Sequence, residues 1–438
     1  MPEQFSTQHR VYTKSSEAMK QVADGTVQLV VTSPPYPMIE LWDGCFNSME
    51  PSTAALIKID DPKAAFELMH LVLDRVWAEC LRILEPGGIL CINVGDATRK
   101  LGGHFRLYSN HARVLSCLHG LGFEILPGVL WRKPTNAPNK FMGSGMLPGG
   151  AYVTLEHEHI LIVRKPGQRA FDSDEVRARR RASAYFWEER NTWFSDLWEI
   201  AGERQTIDRG FDLPVRFRGV GAGAEVDGMA TAAKSQTPGG GAPASNAAGS
   251  SVAPLATRTR SSAFPLEVPL RLIAMYSLYG DTVVDPFWGT GTTTRAAIAL
   301  GRSSAGYEVD EGIASRGLLK TGASVRELAQ VQAARLNRHV SFISSRNARG
   351  KVLKHRNSWS DLPVITAQEQ DLVLYVPQSV SETDDGFDAV HCELLLSEEV
   401  RRAAQPWVGP EAEQEEKIFT KAEVLEAIEK ALGERSRS

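Results

Sequence analysis

The sequence predicts an α/β fold built on an open sheet, and three stretches carry that prediction. Val27-Gln28-Leu29-Val30-Val31 is a short apolar run that halts at Thr32-Ser33-Pro34-Pro35-Tyr36, the pattern of a buried strand delivering a rigid loop to the carboxyl edge of a sheet. Asp281-Thr282-Val283-Val284-Asp285 runs into Pro286-Phe287-Trp288-Gly289-Thr290-Gly291-Thr292, which reads as a strand, a tight glycine turn and a helix start. Ser304-Ala305-Gly306-Tyr307-Glu308-Val309-Asp310 then reads as the next strand. Open α/β sheets bind ligands beyond the carboxyl ends of their strands, so both loops mark a candidate site.

The first loop has a definite chemical character. Neither proline can donate a backbone N–H, so the turn presents carbonyls and the Ser33 hydroxyl, while Tyr36 offers a flat ring beside them. That set suits an amino group on a planar heterocycle, because acceptors draw on its hydrogens and the ring can be stacked. The second loop suits a nucleoside. A dinucleotide fingerprint would carry a third glycine three positions after Gly291, and Thr294 stands there instead. Glu308, at the end of the following strand, is placed to bind ribose hydroxyls.

These two constellations, in this order, resemble the amino-methyltransferases of DNA that use S-adenosylmethionine, specifically the group with circularly permuted motif order, over roughly residues 10–320 apart from an insertion. The resemblance implies a Rossmann-like methyltransferase sheet. It assigns Ser33, Pro34, Pro35 and Tyr36 to catalysis, and Asp285, Pro286, Phe287, Gly289, Thr290, Gly291, Thr292, Glu308 and Phe264 to the cofactor. Arg10-Val11-Tyr12-Thr13 resembles the strand lining the adenine pocket. The segments from Gly122 to Pro134 and from Glu158 to Lys165 look like closing antiparallel strands, and Phe264-Pro265-Leu266-Glu267 looks like the segment under the methionine end of the cofactor. Two positions depart from the pattern. Lys14-Ser15 replaces the usual Gly-Asp, and Trp288 stands where a small residue is usual.

Between the loops, Trp77 to Leu84 has helical apolar spacing, and Glu85-Pro86-Gly87-Gly88 turns the chain into the strand Ile89-Leu90-Cys91-Ile92-Asn93-Val94-Gly95-Asp96. Asp96 ends that strand, where its carboxylate can reach Ser33 or the substrate, or cap the next helix. His157 and His159 share one face of a strand, but no third metal ligand is apparent, and an ordinary structural role is expected.

At 438 residues with 42% hydrophobic content, the chain exceeds one average domain. The expected division is a catalytic half over 1–165, a target-recognition region over 166–260 with a Gly/Ala/Ser/Pro-rich insertion at about 219–256, a cofactor half over 261–336, and an extension over 337–438. The insertion is too poor in large apolar residues to offset its ordering entropy. The extension holds a hairpin-like section at Leu372-Val373-Leu374-Tyr375-Val376 and a helix opened by Thr420-Lys421-Ala422-Glu423.

Cys45, Cys80, Cys91, Cys117 and Cys392 show no C-x-x-C spacing, so neither a disulfide framework nor a zinc site is indicated. No apolar run approaches the ~20 residues that cross a membrane, and a cytoplasmic protein is expected. A net charge of −4 does not advertise a nucleic-acid binder, so charge must be read locally. Arg177, Arg179, Arg180 and Arg181, followed by Tyr185, Phe186, Trp187, Trp193 and Trp198, suggest a surface that neutralises phosphates and supports an extruded base. The expected partner is double-stranded DNA, with a companion restriction endonuclease a further expectation of the family. Ser33 in the first catalytic position is, by resemblance, more usual for cytosine-N4 than for adenine-N6 enzymes. An RNA methyltransferase, a silent DNA-binding accessory and a dehydrogenase are the other classes considered. Thr294 and the catalytic loop oppose the dehydrogenase.

Overall fold

The computed structural model describes residues 3–133, 142–202, 205–206, 260–261, 264–322, 325–349 and 353–396. The insertion at 219–256, the helix expected from Thr420 and the strand end at Pro134 lie outside them. The chain divides into two units, one formed by 1–203 with 263–438 and the other by 204–262. In the second, Gln205–Thr206 pairs antiparallel with Arg260–Ser261.

The first unit is an α/β fold on a ten-stranded sheet. Its strands in chain order are β1 (Gln4–Tyr12), β2 (Val27–Thr32), β3 (Leu84–Val94), β4 (Glu124–Arg132), β5 (His157–Arg164), β6 (Leu197–Glu199), β7 (Thr282–Asp285), β8 (Ser303–Tyr307), β9 (Tyr375–Thr383) and β10 (Gly386–Glu393). They lie side by side in the order β6-β4-β5-β3-β2-β7-β8-β1-β10-β9. From β3 through β1 the neighbours are parallel, while β5 runs against both β3 and β4. The two strands that carry the sequence motifs, β2 and β7, are therefore direct neighbours despite lying some 250 residues apart, with Val283 opposite Leu29.

Side-chain alternation decides what covers each face. Val30, Leu90, Ile92 and Val284 point to one side, where helix α1 (Pro62–Ile83) buries Met69, Leu73, Val76, Trp77 and Cys80 and α2 (Asn110–Gly120) buries Val114 and Leu118. Leu29, Val31, Cys91 and Val283 point to the other, against α4 (Glu267–Tyr276) and α5 (Thr292–Ala299), which follow α3 (Asp174–Ala182) in the chain. Helix α1 starts cleanly: Asp61 accepts from Ala64 N at 3.0 Å and Pro62 occupies the first turn, where no N–H is needed.

Two boundaries differ from the sequence expectation. Strand β3 begins at Leu84, and Glu85-Pro86-Gly87-Gly88 forms an irregularity inside it, since Val27 pairs with Leu84 but Leu29 already pairs with Ile89. The hairpin near residue 372 begins at Tyr375, because Leu372 and Val373 bond backward to Glu369 and Ala182 rather than to a strand. That hairpin joins the main sheet through β10 and β1. Thr7 Oγ1 meets His391 Nε2 at 2.8 Å and His9 Nδ1 meets Ser304 Oγ at 2.9 Å, hydrogen bonds that tie the buried strands together. After α6 (Glu311–Gly322), the helix α7 (Val325–Ala348) runs across residue 336 and packs Ala333, Leu336, Val340 and Ile343 on Leu372, Leu374 and Val376.

Candidate active site

The adjacency of β2 and β7 brings their loops together at the carboxyl edge, and one hydrogen bond latches them. Thr32 Oγ1 donates to Asp285 Oδ1 at 2.7 Å, Phe287 N donates to the same oxygen at 3.0 Å, and Thr293 Oγ1 donates to Oδ2 at 2.6 Å. Asp285 is buried, and that burial outweighs its hydrogen bonds and pushes its carboxyl up to about 6.

Beyond Asp285 the chain turns through Gly289 at φ 55° and Gly291 at φ 80°, the latter opening α5. A Cβ placed on Gly289 would meet only the Phe287 carbonyl, 3.9 Å away, so the space in front of this turn is open. Glu308 closes the opposite side. Its Oε2 accepts from Gly289 N at 2.9 Å and its Oε1 from Asp310 N at 3.0 Å, while burial raises its carboxyl above the ordinary range. An open glycine backbone facing a largely buried carboxylate fits the nucleoside end of S-adenosylmethionine: it admits close approach and offers an acceptor for ribose hydroxyls. Pro286, Thr290 and Thr292 belong to the same turn, with Thr290 and Thr292 buried, and Phe264 is buried in the core beneath α4. Phe287 is partly buried with its ring edge-on to Trp77, centroids 6.0 Å apart.

The structure accounts for both departures in this region. The Trp288 indole is fully buried, and a Cβ on Gly306, Gly317 or Gly291 would come within 2.0, 2.5 or 2.8 Å of it, so it occupies a slot that glycines leave open. Its Nε1 donates to Thr294 Oγ1 at 2.8 Å, which explains why a threonine stands at the position where a dinucleotide fold needs glycine. Ser15 caps a short turn by accepting from Glu17 N at 3.2 Å.

The Ser33 loop is rigidly held. Buried Asn110 donates to Pro37 O at 3.1 Å and Gly95 O at 2.9 Å, clamping the loops after β2 and β3. Buried Met38 adopts φ 67°, a left-handed conformation that costs a non-glycine residue roughly 1–2 kcal/mol and persists only where the surroundings enforce it. Pro34 and Pro35 are buried, Ser33 is half-buried, and Tyr36 is 6% exposed, with its ring against Gly95.

Three further groups surround the loop. Ser33 Oγ lies 3.1 Å from Tyr36 Oη, Tyr36 Oη donates to Glu158 Oε2 at 3.0 Å, and Asn93 Nδ2 donates to Tyr36 Oη at 2.8 Å and to Glu158 Oε2 at 2.7 Å. Lys133 Nζ pairs with Glu158 Oε1. Burial and then the Glu158 charge raise the Tyr36 hydroxyl well above its usual value, so it stays protonated. Sequence reasoning missed Asn93, Lys133 and Glu158. The one visible signal was Asn93, a polar residue inside an otherwise apolar buried strand.

Asp96 takes the helix-capping role. Its carboxylate accepts from His111 N at 3.1 Å and contacts His111 Nδ1 at 2.8 Å, at the start of α2. His111 stacks on His159, ring centroids 3.9 Å apart and planes 14° from parallel. Imidazole lone pairs lie in the ring plane, so two rings stacked this way do not converge on one ion, although Asp96, His111 and His159 bring ligand atoms within 4.8 Å of one another.

The structure does not bring the arginine stretch to this edge. Arg177 pairs with Asp174 at 2.7 Å, Arg179 with Asp281 at 3.6 Å and Arg181 with Asp371 at 2.9 Å, while Arg180 lies over the Phe171 ring at 4.1 Å. Arg177, Arg180 and Arg181 line a groove of about 1020 Å³ with Tyr185, Gly87 and Leu278. Gly87 lies near the amino end of β3 and Leu278 precedes β7, so the groove sits at the amino edge of the sheet. The aromatics expected to support a base are largely core: Phe186, Trp193 and Trp198 are buried, and Phe186 stacks on His339 at 3.9 Å.

Residues 27–317 match the family model of the N6/N4 class described as DNA methylase. The chain is 40% identical over 377 residues to the type II methyltransferase M.MthZI of Methanothermobacter thermautotrophicus, covering 86% of this chain and 92% of that one. It is 41% identical over 320 residues to the type II methyltransferase M.MjaI of Methanocaldococcus jannaschii, covering 70% and 89%. Among solved structures, TTHA0409 of Thermus thermophilus in complex with S-adenosyl-L-methionine aligns over 72% of this chain and 93% of its own, at 27% identity and a TM-score of 0.48. With its two motif loops joined at one sheet edge and the family model spanning both, the chain belongs to the N6/N4 DNA methylase family and is an S-adenosylmethionine-dependent DNA methyltransferase.

Proposed function

We propose that the protein methylates the exocyclic N4 amine of cytosine at a specific site in double-stranded DNA, after extruding the base. The observation that carries the reading is Ser33 at the head of the loop, with its Oγ directed by Tyr36 and Asn93. Cytosine's amine is a weak nucleophile because its lone pair is delocalised into the ring, and in a duplex it is also paired. Extrusion costs a few kcal/mol of unpairing and unstacking. Ser33 Oγ and the Pro34 carbonyl then accept the amine's hydrogens and favour a pyramidal nitrogen, Pro35 keeps the loop stiff, and Tyr36 forms the flat wall of the pocket. S-adenosylmethionine, when bound, supplies a methyl group whose bond to sulfur breaks with both electrons leaving on the thioether. Gly289, Thr290, Gly291, Thr292 and Glu308 are assigned to hold its nucleoside portion, with Phe264, Asp285, Pro286 and Phe287 framing the pocket. Positioning supplies much of the remaining rate. No cysteine nucleophile is needed.

Of the four arginines, Arg180 is the one without a carboxylate partner among the described residues, so any phosphate contact from this stretch is assigned chiefly to it. The type II names of the two archaeal relatives support a companion restriction endonuclease. The test is to offer DNA and RNA with labelled cofactor, followed by methylation-sensitive sequencing of DNA from an expressing host. Label in DNA at cytosines of one sequence context is expected. Label in RNA alone, or at adenines alone, would overturn the substrate or the base assignment.

A further inference from the structure

Methylation of a neutral amine leaves one proton too many on nitrogen, and the geometry points to Glu158 as its destination. We propose that Ser33, Tyr36 and Glu158 form a directional proton relay from the target amine to a carboxylate, with Asn93 and Lys133 as positioning residues. The inference rests on the reading of the Ser33 loop as the amine-holding loop.

Hydrogen-bond polarity fixes the direction. Glu158 Oε1 is held by the Lys133 ammonium, and an ionised carboxylate only accepts. Tyr36 has a single hydroxyl hydrogen, and it points to Glu158 Oε2 at 3.0 Å. In the 3.1 Å contact between Ser33 Oγ and Tyr36 Oη, Ser33 is therefore the donor. Its remaining lone-pair capacity faces the substrate side, where the amine donates. Asn93 Nδ2, within 2.8 Å of Tyr36 Oη, 2.7 Å of Glu158 Oε2 and 3.4 Å of Ser33 Oγ, has two hydrogens to share among the three oxygens, the two shorter contacts taking them, and it holds the oxygens close together.

The balance closes without an added reactant. As nitrogen gains its methyl group, its N–H bond breaks and an O–H bond forms at Ser33 Oγ. The Ser33 hydrogen passes to Tyr36 Oη, and the Tyr36 hydrogen passes to Glu158 Oε2, converting the carboxylate to a carboxylic acid. No tyrosinate accumulates, in keeping with a hydroxyl that burial holds in its protonated form. Lys133, about one third exposed, brings the chain end close to water, to which the proton is released.

Register explains why these groups meet. Thr32 stands opposite Ile92, Val94 opposite His159 and Trp131 opposite Glu158, so neighbouring strands deliver the loop, Asn93 and Glu158 to one place.

The test compares Glu158→Gln, Tyr36→Phe and Ser33→Ala under single-turnover conditions over a range of pH. Glu158→Gln keeps the shape but not the base, and Tyr36→Phe removes only the relay oxygen. Each is expected to lower the methyl-transfer rate about 100-fold, within the span typical of general acid–base catalysis, with KM for DNA and calorimetric affinity for S-adenosylmethionine unchanged. Wild type should gain rate as pH rises through one ionisation, and Glu158→Gln should lose that limb. Should Glu158→Gln and Tyr36→Phe stay within threefold of wild type with the same pH profile while Ser33→Ala is inactive, the relay is wrong and the loop assignment stands. Full activity in Ser33→Ala would overturn both.

Discussion

The two edges of the central sheet place polar side chains in opposite ways. At the carboxyl edge, Ser33, Tyr36, Asn93, Asp285 and Glu308 are half-buried or buried, and each is oriented by hydrogen bonds to neighbours brought by another strand. At the amino edge, Arg177, Arg180 and Arg181 are exposed, and Arg177, Arg179 and Arg181 each form an ion pair with a carboxylate of the same fold. Low local dielectric makes the first set strong and costly to disturb, whereas exposed ion pairs contribute little. The contrast teaches that charge density along the chain is a poor guide to a catalytic surface, and that a few buried acceptors are a better one.

Replacing the acceptor should have the largest effect at the carboxyl edge: Ser33→Ala is expected to lower methyl transfer by two to four orders of magnitude while DNA and cofactor still bind. Gly289→Val places a branched side chain in the open space of the turn and in a left-handed conformation, and should weaken S-adenosylmethionine binding by at least tenfold in calorimetry, with the protein still folded. Unchanged affinity would remove the cofactor from this turn.

The latch between the loops is tested by Thr32→Val, which leaves Asp285 without one of its donors. Chemical denaturation should show a loss of about 0.5–1.5 kcal/mol, the net worth of one hydrogen bond, because Phe287 N still donates to the same oxygen. The Asp285 carboxyl itself sets a pH dependence. Its folded pKa is about 6 against an ordinary 3.8, so its contribution to stability is fully present below pH 4 and is lost as pH rises through 6. Asp285→Asn should flatten the stability curve in that window, by on the order of 2–3 kcal/mol across it.

The smallest effect is expected at the amino edge. Arg180→Ala should reduce the slope of log affinity for DNA against log salt by at most about 0.9, the share of one phosphate, and leave methyl transfer on saturating DNA intact. Arg179→Ala and Arg181→Ala should change the slope less and register instead as small losses of stability. A fall of several units in the slope for any one of them would return the groove to the centre of DNA recognition.

Local pattern made much of this molecule legible. Apolar runs ending in Ser33-Pro34-Pro35-Tyr36 and in Asp285 to Gly291 marked two strand ends, because a strand, a proline pair and a left-handed glycine each leave a trace within a few residues. What remained hidden depends on pairing across long separations. Glu158 meets Tyr36 only because β5 lies against β3 in one register, and Arg169 finds Asp281 112 residues away with two 2.6 Å contacts. Asp96 was legible as a strand-end carboxylate, but its bonds to His111 at the start of α2 depend on where that histidine lies. Trp288 and Thr294 read as two separate departures and proved to be one interaction.

The central claim, an amine on cytosine held by the Ser33 loop, is tested most directly by mass spectrometry of nucleosides from DNA methylated by the wild-type protein and by Ser33→Ala. The wild type should yield 4-methylcytosine, and the variant at least 100-fold less of it in the same time. Finding 6-methyladenine or 5-methylcytosine as the sole product, or equal 4-methylcytosine from both proteins, would contradict the claim.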